Sequence, residues 1–149
     1  MDAFDPLAPV SDSYAALPVG MAFDWTDATR ALGAGEWYLV AFRSVRRPDA
    51  DEALLTEYDD RAHLEAAAAP GFVHYQKGPR ASDGSCLSFC LWMSRAEARA
   101  AAGGPHHVDA VGLLDRMYER YTLEFLRVRG SGDGAPLSFE PYDALPVSA

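Results

Sequence analysis

The 149-residue chain lacks a long apolar run, an excess of positive charge and a supply of cysteine, and each shortage removes a class of protein. No stretch approaches the roughly 18 apolar residues of a spanning helix, so no membrane partner is expected. Lysine and arginine number 13 against 22 aspartates and glutamates, for a net charge of −9. Nucleic acids and anionic membranes select basic surfaces, so no nucleic-acid partner is expected either. The acidity reads as solubility. The start, Met1-Asp2-Ala3-Phe4-Asp5, lacks the basic region of a signal peptide, and a cytoplasmic location is expected. The two cysteines, Cys86 and Cys90, lie four residues apart on one expected strand. That is about 13 Å at roughly 3.3 Å per residue, and a disulfide needs Cα atoms within about 7 Å. They read as small buried apolar residues. Too few ligands lie near them for a metal centre, and no cofactor is expected.

What is present is enough apolar material for one domain: 49% of the chain is hydrophobic and 11% of the chain is aromatic. The most informative stretch is Leu87-Ser88-Phe89-Cys90-Leu91-Trp92-Met93-Ser94-Arg95-Ala96-Glu97. A strand runs directly into a helix start, with Ser94 and Glu97 at capping-box spacing. Cys86, Ser88, Cys90 and Trp92 point to one face; Leu87, Phe89, Leu91 and Met93 point to the other. Both faces are apolar, so both need a cover.

Along the chain, residues 36–45 read as a strand, 51–67 as a helix, 72–77 and 85–93 as strands, 95–102 as a helix, 105–119 as a second helical piece opened by Pro105, and 121–128 as the last strand. The order is β-α-β-β-α-β, the ferredoxin-like α+β arrangement with a four-stranded antiparallel sheet. Residues 1–35 are expected to be an extended N-terminal segment, 36–129 the domain, and 130–149 an extended C-terminal tail. Two helices cover one sheet face only. A partner's sheet is the simplest cover for the other, which predicts a homodimer. The tails share a pattern, Tyr14-Ala15-Ala16-Leu17-Pro18-Val19 and Tyr142-Asp143-Ala144-Leu145-Pro146-Val147. It is either coincidence or a pair of segments that dock onto apolar grooves.

With the element order, Pro70-Gly71-Phe72 opening the second strand, Leu91-Trp92-Met93-Ser94-Arg95-Ala96-Glu97-Ala98, and Pro105-His106 opening the second helical piece, the chain resembles the dimeric α/β-barrel superfamily, in particular its antibiotic-biosynthesis-monooxygenase-like group. The resemblance covers about residues 36–129. It implies a homodimer and, among the group's activities, cofactor-free oxidation of phenolic polyketides, haem degradation or isomerisation. Quinone-forming members place an Asn four residues before the strand-end Trp. Here Trp92 matches, but Ser88 stands where the Asn would be. The chain contains no Asn at all, so the haem-degrading constellation is absent too.

The candidate residues follow from a pocket between helices and sheet. Trp92, Tyr75, Tyr118 and Arg43 are the expected substrate-binding groups, for a small apolar or aromatic molecule. His107 and His74 are the candidate bases, with Ser88 or Tyr75 holding a developing oxyanion. His74 and Tyr75 lie on opposite faces of one strand, so only one reaches the pocket. His107 opens a helix whose dipole disfavours imidazolium. Arg43 and Arg127 either meet a substrate anion or reach to water. The leading expectation is a cofactor-independent, monooxygenase-like oxidoreductase or isomerase acting on an aromatic or polyketide-like substrate. The alternative is a non-catalytic dimeric ligand-binding or scaffold protein that uses its tails for partner contacts.

Overall fold

The computed structural model describes residues 2–142. A 3-10 turn at Tyr14–Ala16 and two short helices, α1 Val19–Ala22 and α2 Thr26–Leu32, precede β1 Ala34–Arg46. Then follow α3 Glu52–Ala67, β2 Phe72–Gln76, β3 Ser85–Trp92, α4 Arg95–Ala102, α5 Pro105–Val111, α6 Leu114–Met117, β4 Tyr118–Ser131 and β5 Ser138–Pro141. The strands form one antiparallel sheet in the order β2-β3-β1-β4-β5. The ferredoxin-like reading therefore stands, with a fifth strand at the edge. The helix starts carry local signals: Asp51 Oδ1 accepts from Leu54 N–H at 3.0 Å and the Ser94 hydroxyl accepts from Glu97 N–H at 3.2 Å. Pro105 occupies the first turn of α5. The single helical piece expected over 105–119 breaks at Gly112-Leu113 into α5 and α6, and β4 begins at Tyr118.

Alternation sorts the sheet's side chains into two layers. Register places Cys86, Ser44 and Tyr121 abreast, then Ser88, Phe42 and Leu123, then Tyr75, Cys90, Val40 and Phe125, then Trp92, Tyr38 and Arg127. This layer faces α3, α4 and α5. The opposite layer carries Leu39, Ala41, Leu87, Phe89, Leu91 and Val128, all buried.

The cover for that second layer comes from the chain itself. Leu7, Tyr14, Val19, Phe23 and Trp25, together with Leu137, join those strand residues in one core cluster. Phe89 is 1% exposed, with Trp25 stacked on it at 5.0 Å and Phe23 edge-on at 5.6 Å. Burying each such side chain stabilises by about 1.5–3 kcal/mol. Polar bonds pin the strap formed by residues 2–32. Ala3 N–H donates to Val73 O at 2.8 Å, Gln76 exchanges two hydrogen bonds with the Leu7 backbone, and the Tyr14 hydroxyl donates to Pro79 O and accepts from Leu87 N–H at 3.2 Å. The expectation that this face awaits a partner's sheet is corrected here: its apolar surface is closed within one chain.

The segment 1–35, expected to be extended, folds over its described residues 2–32 as a packed strap with short helical turns. Of the C-terminal span 130–149, β4 continues to Ser131, β5 follows, and residues 143–149 lie outside the described residues. The second Tyr-x-Ala-Leu-Pro-Val copy falls there apart from Tyr142.

A candidate active-site cleft beneath the helices

Between the helices and the first layer of the sheet lies a cleft of about 570 Å³. Its floor is the aromatic and apolar grid of Trp92, Tyr38, Val40, Phe42, Leu123 and Phe125. Helix α3 forms its roof. No α3 residue is fully buried, because the helix spans a cavity instead of resting on the strands. Over β2, β3 and β1 the roof is present; over β4 it is missing, and Leu123 and Phe125 stay 53% and 41% exposed.

Five of the seven residues expected at the site line this cleft: Trp92, Tyr75, Tyr118, Ser88 and His107. Trp92 is buried, and its indole N–H points to Cys90 Sγ at 3.2 Å. Burial holds the Cys90 thiol up at about 11, so it remains neutral. Tyr118 packs edge-on to Phe42 at 5.3 Å, and burial raises its hydroxyl to about 12. Ser88 Oγ accepts from Gly78 N–H at 3.0 Å. It also lies 3.9 Å from Cys86 Sγ, whose thiol donates to Gly78 O at 3.0 Å. His107 is exposed at the mouth, where its backbone N–H and that of His106 each donate to the Glu65 carboxylate at 3.1 Å.

His74 and Arg43 do not reach the cleft. His74 is fully buried on the strap side, stacked on Phe4 at 4.0 Å, with Nε2 3.2 Å from Gln76 Oε1. Gln76 Oε1 is an acceptor, so this His nitrogen carries the proton. Burial pushes its pKa below the ordinary histidine value. Arg43 faces the same side, where it pairs with Glu124 and donates to Ala15 O at 2.6 Å. Both side chains serve to hold the strap. The expectation that either acts on a substrate in this cleft is corrected by that placement.

The polar end of the cleft centres on a residue that sequence reasoning missed, Asp59 on α3. Tyr75 donates its hydroxyl to Asp59 Oδ1 at 2.8 Å, and Lys77 Nζ stands 3.5 Å from Oδ2. Oδ2 is buried, and among the described residues its polar contact is that ion pair with Lys77. Burial, then the adjacent carboxylate, raises the Tyr75 pKa well above that of a free phenol, which keeps its proton on. His63, one turn on, meets Asp2 at 3.2 Å and sets its ring against Tyr75 at 4.7 Å. The available signal was spacing: Asp59 and His63 are four apart on one flank of the apolar stripe Leu55, Tyr58 and Ala62. Among the described residues no group of three or more His, Cys, Asp or Glu is placed to hold a metal ion. No helix among them is long and apolar enough to cross a membrane.

The PB2B2.08-like family matches residues 1–141. The chain belongs to that family. Strap, sheet and cleft all fall within the matched span. No curated protein matches the sequence. Among solved structures, this PB2B2.08-like chain is similar to Rv0793 from Mycobacterium tuberculosis, at 24% identity and a TM-score of 0.54 over 60% of this chain and 92% of that one. It is similar to a variant of SnoaB, a cofactor-independent oxygenase from Streptomyces nogalater, at 19% identity and a TM-score of 0.50, over 62% of this chain and 91% of that one. An antibiotic biosynthesis monooxygenase aligns at 16% identity and a TM-score of 0.52, over 59% of this chain and 94% of that one. These likenesses show the fold: an α+β, ferredoxin-like arrangement with one antiparallel sheet.

Proposed function

We propose that this protein is a small-molecule enzyme that binds an aromatic or polyketide-like substrate in the cleft and oxidises or isomerises it without a resident cofactor. One observation carries the reading: an aromatic-floored cleft of about 570 Å³ ends at a polar cluster in which the Asp59 carboxylate accepts from the Tyr75 hydroxyl at 2.8 Å and pairs with the Lys77 ammonium at 3.5 Å. A ligand hydroxyl is placed to approach this cluster from the apolar floor. Trp92, Tyr38 and Tyr118 hold the ring system by area and edge contacts. Asp59 then takes the phenolic or enolic proton, with Tyr75 fixing the carboxylate's orientation. The Ser88 hydroxyl and the Lys77 ammonium stabilise the oxyanion that results. His107 at the mouth is the second base within reach of a bound molecule. The electron-rich anion is the species that reacts with dioxygen or accepts a proton at another carbon. The cofactor-independent oxygenase SnoaB shares the fold, which supports the class and leaves this chain's substrate to experiment.

The scaffold alternative draws on the repeated tail pattern. Its N-terminal copy is not available to a partner, since Tyr14 and Val19 are 1% and 2% exposed in the strap. The enzyme reading is tested by oxygen uptake and product mass on a panel of anthrone-, naphthol- and β-diketone-type compounds. Asp59→Asn is expected to lower turnover at least about 100-fold, in the range of general-base removal. His107→Ala is expected to lower it less. Turnover that survives both substitutions, or no binding by any panel member, would reject the assignment.

A further inference from the structure

We propose that the outer edge of β4 around Thr122 pairs antiparallel with the same edge of a second copy of this chain, and that the partner's strand completes the open side of the cleft. Strand β4 runs Tyr118–Ser131 and pairs with β1 along this length. On its other side β5 reaches only from Arg129 back to Leu126. One more bond follows, from Tyr142 N–H to Phe125 O at 2.9 Å. Among the described residues, no strand pairs with that side of β4 before Phe125.

In an antiparallel strand the outward backbone groups belong to alternate residues. The Phe125 carbonyl points outward, so the N–H and C=O of Leu123 and Tyr121 do as well. An edge with such groups is a template for another strand. The side chains beside it are suited to a contact. Tyr121, Leu123 and Phe125 are 37%, 53% and 41% exposed on the cleft side, where the roof of α3 is missing. Contiguous apolar exposure of this kind marks a contact surface. On the strap side the row is Arg120, Thr122 and Glu124, with Arg120 and Thr122 exposed.

The edge is complementary to itself, which argues for a second copy as its occupant. A two-fold axis at Thr122 sets Tyr121 opposite the partner's Leu123, and Leu123 opposite the partner's Tyr121. The outward N–H and C=O groups of each pair then exchange two hydrogen bonds, four in all. The same register sets Arg120 opposite the partner's Glu124, again twice, so opposite charges meet on the strap side. Glu124 already pairs with Arg43, and a carboxylate has acceptor sites for both cations. An axis at Tyr121 sets Leu123 opposite the partner's Glu119 and loses both matches. An axis at Leu123 calls on the Phe125 carbonyl, which Tyr142 already occupies. In the register at Thr122 the partner's Tyr121 and Leu123 continue the apolar floor beyond Leu123 and Phe125, which line the cleft. Each copy thus completes the other's site, edge to edge, and the strap keeps its own face of the sheet. This inference concerns assembly and does not depend on the reaction carried out in the cleft.

The test is mass in solution by light scattering, over a concentration series reaching tens of micromolar. It compares the full chain with three full-length variants: Leu123→Lys, Arg120→Glu and the exchange Arg120→Glu/Glu124→Arg. The full chain is expected at twice the mass of one chain, and Leu123→Lys, which puts a cation on the edge, at the mass of one. Arg120→Glu is expected to raise the Kd of the dimer about tenfold or more, because like charges then face each other at two places. The exchange restores the opposite-charge pairs and is expected to recover most of that loss. Should Leu123→Lys fail to fold, the two charge variants decide alone. A full chain that stays monomeric overturns the proposal. So does a dimer that Leu123→Lys leaves intact, because the contact then lies elsewhere, or one whose Kd Arg120→Glu does not change, because the strands then do not pair about Thr122.

Discussion

The two faces of this sheet start from the same kind of strand and end differently. On one, Leu39, Leu87, Phe89 and Leu91 are sealed under residues 2–32. On the other, Tyr38, Val40, Phe42 and Cys90 look into a space that α3 spans without filling. Alternating apolar residues specify that a face will be covered, not by what. The sealed face has close ring contacts and hydrogen bonds that tie the strap to the strands, so it is where stability resides. The open face keeps room, a buried carboxylate oxygen and exposed apolar edges, which are properties of a binding site.

That contrast can be broken most severely by removing residues 1–32. The loss of the strap is expected to exceed the roughly 5–15 kcal/mol that stabilises a domain of this kind, leaving either no cooperative thermal transition or association through the bared face. A soluble, cooperatively melting monomer would show the strap to be dispensable. Next, Phe89→Ala is expected to cost about 3–5 kcal/mol in urea unfolding. Phe125→Ala, on the half-open face, is expected to cost less than about 1.5 kcal/mol. Equal costs would erase the distinction between the faces. Tyr14→Phe removes the donor to Pro79 O and the acceptor of Leu87 N–H, with an expected cost of about 1–3 kcal/mol by the same measurement. The smallest effect is in pH. His74 is held neutral by burial, with its folded pKa below the unfolded value near 6.5. Above that pH both states are neutral and its contribution is complete. Below it the unfolded chain binds the proton first, so stability falls, at no more than about 1.4 kcal/mol per pH unit from this group. His74→Gln should flatten the slope of midpoint against pH between about 6.5 and 5. An unchanged slope would assign the acid sensitivity to other groups.

Much of this was legible from local chemistry. The strands of the central sheet announce themselves by β-branched and aromatic alternation, α4 by Ser94, α5 by Pro105. The two-faced apolar pattern of β3 correctly demanded two covers. The N-terminal cover was not legible, because a strap made of a 3-10 turn and short helices has no period, and its contacts reach strands some seventy residues away. Strand β5 escaped because Ser138-Phe139-Glu140-Pro141 acquires strand character only by pairing with β4. At the site, alternation separated His74 from Tyr75 but not which faced the cleft, since both layers were apolar. The alternation of Arg43 with Trp37, Leu39 and Ala41 held, yet its role follows from Glu124 and Ala15, which meet it only in the fold. Asp59 looked like one more solvated carboxylate on a helix. Its importance comes from Tyr75 and Lys77, on a different element.

The hydrogen bond between Leu87 N–H and the Tyr14 hydroxyl also has a timing. Its two ends are separated by 73 residues. A chain synthesised at about 5–20 residues per second makes Tyr14 some 4–15 seconds before the backbone group it satisfies. Throughout that interval Tyr14, Val19, Phe23 and Trp25 have no sheet to lie on. The strap is made before the sheet it covers and is among the last parts able to reach its native partners. Such non-local closure slows folding and prolongs the exposure of apolar side chains. Expression yield of this protein should therefore respond more to chaperone supply and growth temperature than its finished stability alone would suggest.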